Sequence, residues 1–348
     1  MAPKANILLV GSGGVGTIAA LNLDKGGQAN VTAVLRSNYN KVVAEGFHIK
    51  SIDHGLIKGW KPPQILNTVP ASVTESTSTE YDYVIITTKN ISDNTPTTAD
   101  LVAPVIIPGK TTIVLIQNGL NIEKPFFDKY PANICLSGVS LVGSHETAPG
   151  YIEHDDPDHL IIGAFQNPNL ATEIQNATAR EFVRIYGASG KTVCEYTGTD
   201  EVPFHRWRKL VYNACLNTVC AVTGLDTGRI RLAGDAADTL VRPVMREIVS
   251  AARACGVILP EGIEELMLGI DPVTIYLRPS MLEDVERGNL TEVENLLGEP
   301  LREGTARGVS MPTATFLYHA LKAIQWRFKE KKGLVTIPPK TVQINQLA

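Results

Sequence analysis

Apolar positions in the first half of the chain gather in short unbroken runs, whereas in the second half they recur at helical spacing. Ile7-Leu8-Leu9-Val10 is the first run, and the glycine-rich stretch Gly11-Ser12-Gly13-Gly14-Val15-Gly16 follows it. A short apolar run bounded by turn residues predicts a strand buried on both faces, and the glycines predict a sharp turn into a helix from Val15 to about Leu23. Further strands are predicted over 30–35, 81–88, 111–116 and 134–139. Strands alternating with helical stretches predict a doubly wound parallel sheet. Residues 150–154 and 160–163 read as short antiparallel strands around the acidic turn Asp155-Asp156-Pro157-Asp158, followed by a helix over 170–189 and a last strand over 192–196.

Gly198-Thr199-Asp200 reads as a boundary, after which the strand period disappears. Residues 206–217 predict a long, mostly apolar helix on which Lys209, Asn213 and Asn217, spaced i, i+4, i+8, form one polar stripe. Buried lysine is costly unless paired, so the stripe is either a polar seam between helices or the lining of a polar cleft. Ser280 with Glu283 and Thr291 with Glu294 each match a capping box, and Glu292 in a first helical turn complements the dipole. A capping hydroxyl at Ser280 still has a proton to donate to a substrate carboxylate. Helix signals continue to about Lys329. The expected organisation is therefore 1–198 as an α/β domain, 199–332 as a helical domain and 333–348 as a poorly ordered tail. Ser72 to Thr79 reads as a short polar loop.

Composition narrows the classes without choosing among them. A chain of 348 residues with 44% hydrophobic and 20% charged residues fits an ordinary globular protein of two domains. A net charge of −4 disfavours nucleic acid or a polybasic membrane contact. No run reaches transmembrane length and no signal-peptide core is present. Five cysteines without a CxxC pair read as reduced thiols in a cytoplasmic protein. His154 and His159 flank three aspartates, but without further ligands at a recognisable spacing they read as a polar hairpin rather than a metal site.

The glycine stretch carries the first chemistry. Gly11 makes the tight turn, Gly13 admits a pyrophosphate, and Gly16 packs helix on strand, with Ser12, Gly14 and Val15 completing the phosphate-facing corner. A dinucleotide site that prefers NAD places an acidic residue at the end of the second strand. Here no acidic residue lies between Asp24 and Glu45, and Arg36-Ser37-Asn38 occupies that place. A guanidinium there suits the 2′-phosphate of NADPH. Ligands in such sheets bind outside the carboxyl ends of the strands, which makes Lys89 and Asn118 candidates for the cofactor edge. Satisfying local loop backbone is the alternative reading of both.

With Thr88-Lys89, Gln117-Asn118-Gly119, Trp207-Arg208-Lys209, Asn213, Asn217, Ser280-Met281 with Asp284, and Thr291-Glu292 in place, the chain resembles the ketopantoate reductase (2-dehydropantoate 2-reductase) family over essentially 6–329. The resemblance implies an N-terminal Rossmann domain joined to a C-terminal all-helical domain, with the active site between them. It implies Lys209 as the catalytic lysine and Glu292 as the carboxylate working with it. Asn118, Asn213, Asn217 and Ser280 are implied as substrate contacts, and the glycine stretch and Arg36 as cofactor contacts. The implied reaction reduces the 2-oxo acid ketopantoate to pantoate with NADPH, on the way to coenzyme A. A reductase of another 2-oxo acid and a non-catalytic NADPH-binding sensor are the alternatives. A homodimer is compatible with these numbers.

The sequence departs from the family at Pro279, Val293-Glu294 and Leu296-Leu297-Gly298. Those positions bear on substrate identity more than on hydride chemistry. Burial of Lys209 would lower its pKa and a nearby Glu292 would raise it, and the sequence leaves that balance open.

Overall fold

A computed structural model describes residues 3–71, 79–91 and 95–340 of the chain. The expected polar loop and the end of the expected tail fall largely or wholly outside them. In chain order the strands are β1 (Ala5–Val10), β2 (Ala29–Val34), β3 (Phe47–Ser51), β4 (Gly55–Trp60), β5 (Gln64–Leu66), β6 (Tyr83–Ile86), β7 (Thr112–Leu115), β8 (Cys135–Ser140), β9 (Gly143–Ala148), β10 (Tyr151–Asp156), β11 (His159–Ala164) and β12 (Val193–Tyr196). Eight of them form one sheet in the order β12-β11-β8-β7-β6-β1-β2-β5. β1 pairs in parallel with β2 on one side and β6 on the other, so the strand order reverses beside it. The crevice at such a reversal is where doubly wound sheets bind ligands.

The sheet carries helices on both faces. Helices α1 (Gly14–Gly26) and α2 (Tyr39–Glu45) follow β1 and β2, α3 (Thr98–Leu101) and α4 (Lys124–Lys129) flank β7, and α5 (Thr172–Tyr186) precedes β12. α1 and α5 cover one face through Ala19, Ala20, Leu23, Phe182 and Tyr186. Val102, Val105 and Phe126 cover the other. Residues 16–23 of α1 are buried all round, because its outer side packs against a second, four-stranded sheet ordered β4-β3-β10-β9. Ile18 and Leu21 of α1 meet Phe47, Ile49 and Ile152 of that sheet.

This second sheet corrects the expected hairpin at 150–163. β10 pairs with β3 and β9, whereas β11 crosses to the main sheet, antiparallel to β8. Their burial explains the divorce. β10 alternates exposed and buried positions, as a one-sided strand does, while β11 is buried almost throughout and needs cover on both faces. His154 is correspondingly no surface hairpin residue. It is buried, with Nδ1 2.8 Å from the Ser51 hydroxyl.

From Val202 every regular element among the described residues is helical: α6 (Val202–Asn213), α7 (Leu216–Thr223), α8 (Thr227–Leu232), α9 (Arg242–Ala254), α10 (Ile263–Leu268), α11 (Ser280–Glu286), α12 (Glu299–Ala306) and α13 (Pro312–Lys331), with π-helical turns before α9 and α12. They enclose one core that includes Trp207, Val211, Met245, Ile248, Leu296 and Leu317. None is long and apolar enough to cross a membrane.

Three local expectations fail here, each for a visible reason. The helix expected over 206–217 breaks at Ala214-Cys215, where the Thr218 hydroxyl donates to the Ala214 carbonyl at 2.7 Å. Pro279 rather than Ser280 is the N-cap of α11, and its carbonyl accepts from the Glu283 amide at 3.2 Å; Ser280 makes no cap hydrogen bond. Thr291 likewise caps nothing, since its hydroxyl and amide both donate to Gln325 Oε1. Glu292 therefore stands just ahead of the helical turn that starts at Val293.

Two neighbouring glycines offer a test of the packing around α1. A Cβ on Gly14 would overlap the Ser144 carbonyl of β9, whereas a Cβ on Gly13 would meet open space. Gly14→Ala should cost about 2 kcal/mol or more, as overpacking against backbone does. Gly13→Ala should cost less than about 1 kcal/mol, the scale of an N-cap change. Urea unfolding of the two variants should separate them in that order, and equal losses would contradict the packing described.

Candidate functional site

The glycine corner is shaped by what touches it. Gly11 sits at φ +105°, and a side chain there would come within 2.8 Å of the Thr88 amide nitrogen. A Cβ on Gly16 would overlap the Gly11 carbonyl, which the Thr87 hydroxyl also engages at 2.7 Å. The first amide returned to α1 is that of Thr17, bonded to the Gly13 carbonyl at 2.9 Å. The amides of Gly14, Val15 and Gly16 thus have no acceptor within the helix, and Gly13 supplies no side-chain cap. Ser12 Oγ, Thr88 Oγ1, Gln117 Oε1 and Ser140 Oγ are buried along the same edge without a hydrogen-bond partner among the described residues. The unfilled amides and the orphaned Ser12 hydroxyl at the N-terminus of α1 fit the phosphates of a dinucleotide. Arg36 lies exposed two residues beyond β2, at the adjoining strand end.

Across this edge the helical lobe presents α6. Its Arg206 is buried, and its guanidinium donates to the Ser137 hydroxyl at 2.8 Å and to the carbonyls of Gln117 at 2.6 Å and Leu115 at 3.3 Å. It also lies 5.1 Å from the Phe165 ring centre. One side chain of the second lobe thus takes up carbonyls at the carboxyl end of β7 and in the loop beyond it. Burial lowers its pKa to about 10, with the Glu123 carboxylate opposing.

One turn on, Lys209 enters a narrow cleft, with a cavity of about 10 Å³, lined by Asn118, Gly119, Val139, Arg206 and Asn213. Its ammonium donates to the Ser140 carbonyl. Burial above all, and the Arg206 charge after it, lower the Lys209 pKa to about 8, with Glu292 opposing. Desolvation therefore wins the balance that the sequence left open.

Glu292 does not grip Lys209. Its Oε1 accepts from the Asn90 amide at 2.9 Å, and the Asn118 side chain donates to the same carboxylate. Burial raises its pKa, with those hydrogen bonds opposing. Lys89 forms an ion pair with Asp284 of α11, a second link between the lobes. Burial pushes the Asp284 carboxyl up while Lys89 pulls it down. The structure thus gathers Asn118, Lys209 and Asn213 around one cleft, with Glu292 behind Asn118. Asn217 is buried on α7, its Oδ1 without a partner among the described residues and off the register of Lys209, and Ser280 is exposed at the start of α11. Neither lines the cleft.

Sequence reasoning passed over Arg206, Asp284 and Asn90 as working parts. The signal for Arg206 was present: a cation three residues before Lys209 on the same helix shares its face. Asn90 acts through its backbone amide, for which residue type gives no signal.

Comparison with known proteins gives the family and the fold. The family described as ketopantoate reductase PanE/ApbA matches residues 7–167, and ketopantoate reductase PanE/ApbA C terminal matches residues 204–325. The chain is 36% identical to uncharacterized protein YDL144C of Saccharomyces cerevisiae, over 98% of this chain and 99% of that one. It is 25% identical to a 2-dehydropantoate 2-reductase of a Nostoc species, over 94% of this chain and 97% of that one. A crystal structure of 2-dehydropantoate 2-reductase from Methylococcus capsulatus superimposes with a TM-score of 0.74 at 29% identity, covering 93% of this chain and 97% of that one.

Arg206→Met should lower stability by about 3 kcal/mol, because it strands buried carbonyls that a methionine cannot satisfy. Urea unfolding measures this directly, and a loss below about 1 kcal/mol would show that the guanidinium does not hold the lobes together.

Proposed function

Since the chain belongs to the ketopantoate reductase family, we propose that it is an NADPH-dependent reductase that converts the 2-oxo acid ketopantoate to pantoate, a step towards pantothenate and coenzyme A. The observation that carries this reading is the placement of the Lys209 ammonium, held at the Ser140 carbonyl inside the cleft where the helical lobe meets the carboxyl edge of the sheet. The amides of Gly14, Val15 and Gly16 with the Ser12 hydroxyl would hold the pyrophosphate, Gly11 and Gly13 would let it approach, and Arg36 would take the 2′-phosphate. A nicotinamide bound there would supply the hydride.

The chain's own residues supply the rest. Negative charge builds on the substrate oxygen as its carbon is reduced, and a proton donor placed there lowers the barrier. Lys209 is that donor. A pKa of about 8 lets it stay charged at neutral pH and still give up its proton readily. Asn118 and Asn213 line the same cleft and would hold the substrate's polar groups. Glu292 acts as a positioning residue, fixing Asn118 and the Asn90 backbone. The Lys89–Asp284 pair keeps the two lobes together over the cleft, and Lys89 stands at the strand end where the cofactor would lie. The two domains divide near 198, the first holding cofactor and the second supplying Lys209.

A different 2-oxo acid is the second reading. Ser280 and Asn217, two of the expected substrate contacts, stand away from the cleft that Lys209 lines. NADPH oxidation with ketopantoate and a panel of other 2-oxo acids decides between the readings. Turnover with ketopantoate supports the first, turnover with another acid the second, and none at all a cofactor-binding sensor.

Lys209→Ala should lower kcat at least about a hundredfold while leaving the folded protein able to bind NADPH, as loss of a general acid does. In the wild type, reduction needs the ammonium form, so kcat should be level below and fall above a pH of about 8. A near-normal kcat in the variant, or a rate that rises through that pH, would remove Lys209 from the role. NADPH should bind much more tightly than NADH, and Arg36→Ala should narrow the gap. Equal affinities in the wild type would dispose of the 2′-phosphate assignment.

A further inference from the structure

We infer that Asn38 and Glu146 form a positioning clamp that fixes the Arg36-Ser37-Asn38 loop against the glycine corner and thereby sets the phosphate preference of the cofactor site. The inference rests on the NADPH reading above and assigns work to two residues outside it. Asn38 is 4% exposed and occupies the N-cap position of α2, where an asparagine ordinarily accepts from a helix amide. It makes no such bond. Its amide nitrogen instead donates to the Ser12 carbonyl at 2.8 Å and to Glu146 Oε1 at 2.8 Å. A primary amide has two N–H bonds, and these two contacts use both.

The far end of the clamp is equally fixed. Glu146 Oε1 also accepts from the Gly150 amide at 3.0 Å, so β9 and the turn after it hold the carboxylate in place. Two residues before Glu146, the Ser144 backbone lies against Gly14 so closely that a Cβ there would overlap it. β9 is thereby braced on the first turn of α1, and through Asn38 it ties down both Ser12 and the loop that carries Arg36. A bare carboxylate beside a phosphate site would repel the ligand. Two N–H donors on Oε1 draw its charge inward, which makes the clamp compatible with a dianionic 2′-phosphate. The physical consequence is selective. Loosening the loop costs more for the cofactor whose extra phosphate depends on the position of Arg36.

The test uses the full chain and four variants: Asn38→Ala, Asn38→Asp, Glu146→Ala and Glu146→Gln. Affinities for NADPH and NADH are read from quenching of protein fluorescence. Hydrogen exchange across 11–17 and 36–40 is read in the cofactor-free protein. Asn38→Ala and Glu146→Ala should weaken NADPH about tenfold, the scale of one lost hydrogen bond to a charged group, and NADH less than about threefold. Asn38→Asp should be worse, because it sets two carboxylates face to face. Glu146→Gln should restore wild-type selectivity, since its amide oxygen still accepts from Asn38.

NADPH affinity within twofold of wild type in both alanine variants would overturn the clamp, as would equal weakening of both cofactors, or Glu146→Gln as damaging as Glu146→Ala. Should Asn38→Ala fail to fold, the Glu146 pair of variants decides alone. Exchange separates the clamp from the reading beneath it. Faster exchange in Glu146→Ala than in Glu146→Gln, with no cofactor bound by the wild type, keeps the fixing of the loop but overturns the NADPH reading and the preference built on it; unchanged exchange overturns the clamp itself.

Discussion

One buried guanidinium holds the two lobes in working register. Arg206 leaves the helical lobe on α6 and spends its donors on the Ser137 hydroxyl and on backbone carbonyls at the end of the sheet. The Gln117 carbonyl belongs to the loop beyond β7, where a buried acceptor needs a partner from outside the sheet, while Leu115 ends β7 and also pairs with β6 and β8. A charged, five-donor fork is well suited to collecting several acceptors that point in different directions. Because Lys209 lies three residues further along α6, fixing Arg206 also fixes where the amine can reach. The same charge adds to burial, the larger cause, in depressing the amine's pKa, so one contact bears on both geometry and proton affinity.

Around that anchor the site is assembled from loops that each finish a strand. Gly11 follows β1, Thr88 and Lys89 follow β6, and Gln117 and Asn118 follow β7. The parallel sheet therefore brings together residues far apart in sequence without any of them choosing the place. The helical lobe supplies what the sheet lacks, namely a cation in a poorly solvated cleft. Glu292 shows how indirect such construction is. Its carboxylate organises the Asn90 backbone and Asn118, and its field reaches Lys209 only weakly.

Much of this was readable from residue order, and the failures have causes. The strand-turn-helix at residues 7–16 was legible because a parallel strand, a positive-φ glycine and a close helix contact each demand a particular residue type. The helix at 206–217 was misread because apolar periodicity continues through Ala214-Cys215, and only Thr218 bonding to the Ala214 carbonyl reveals the break. Ser280 satisfied a capping pattern that Pro279 pre-empted. The second sheet escaped because Phe47, Ile49 and Ser51 do alternate, but their partner β10 lies a hundred residues on and reads like half of a hairpin with β11. Non-local pairing is what local pattern cannot encode. The substrate side of the site was the least legible part, since Asn217 and Ser280 depend on helix breaks and caps that the pattern hides.

The most direct test is a crystal structure of the chain with NADPH and oxamate, a 2-oxo acid analogue that accepts no hydride. Lys209 Nζ should leave the Ser140 carbonyl and stand about 2.6–3.2 Å from the analogue's amide carbonyl oxygen, the reach of a proton donor. An analogue bound beside the nicotinamide while the amine stays on Ser140 would contradict the account at its centre.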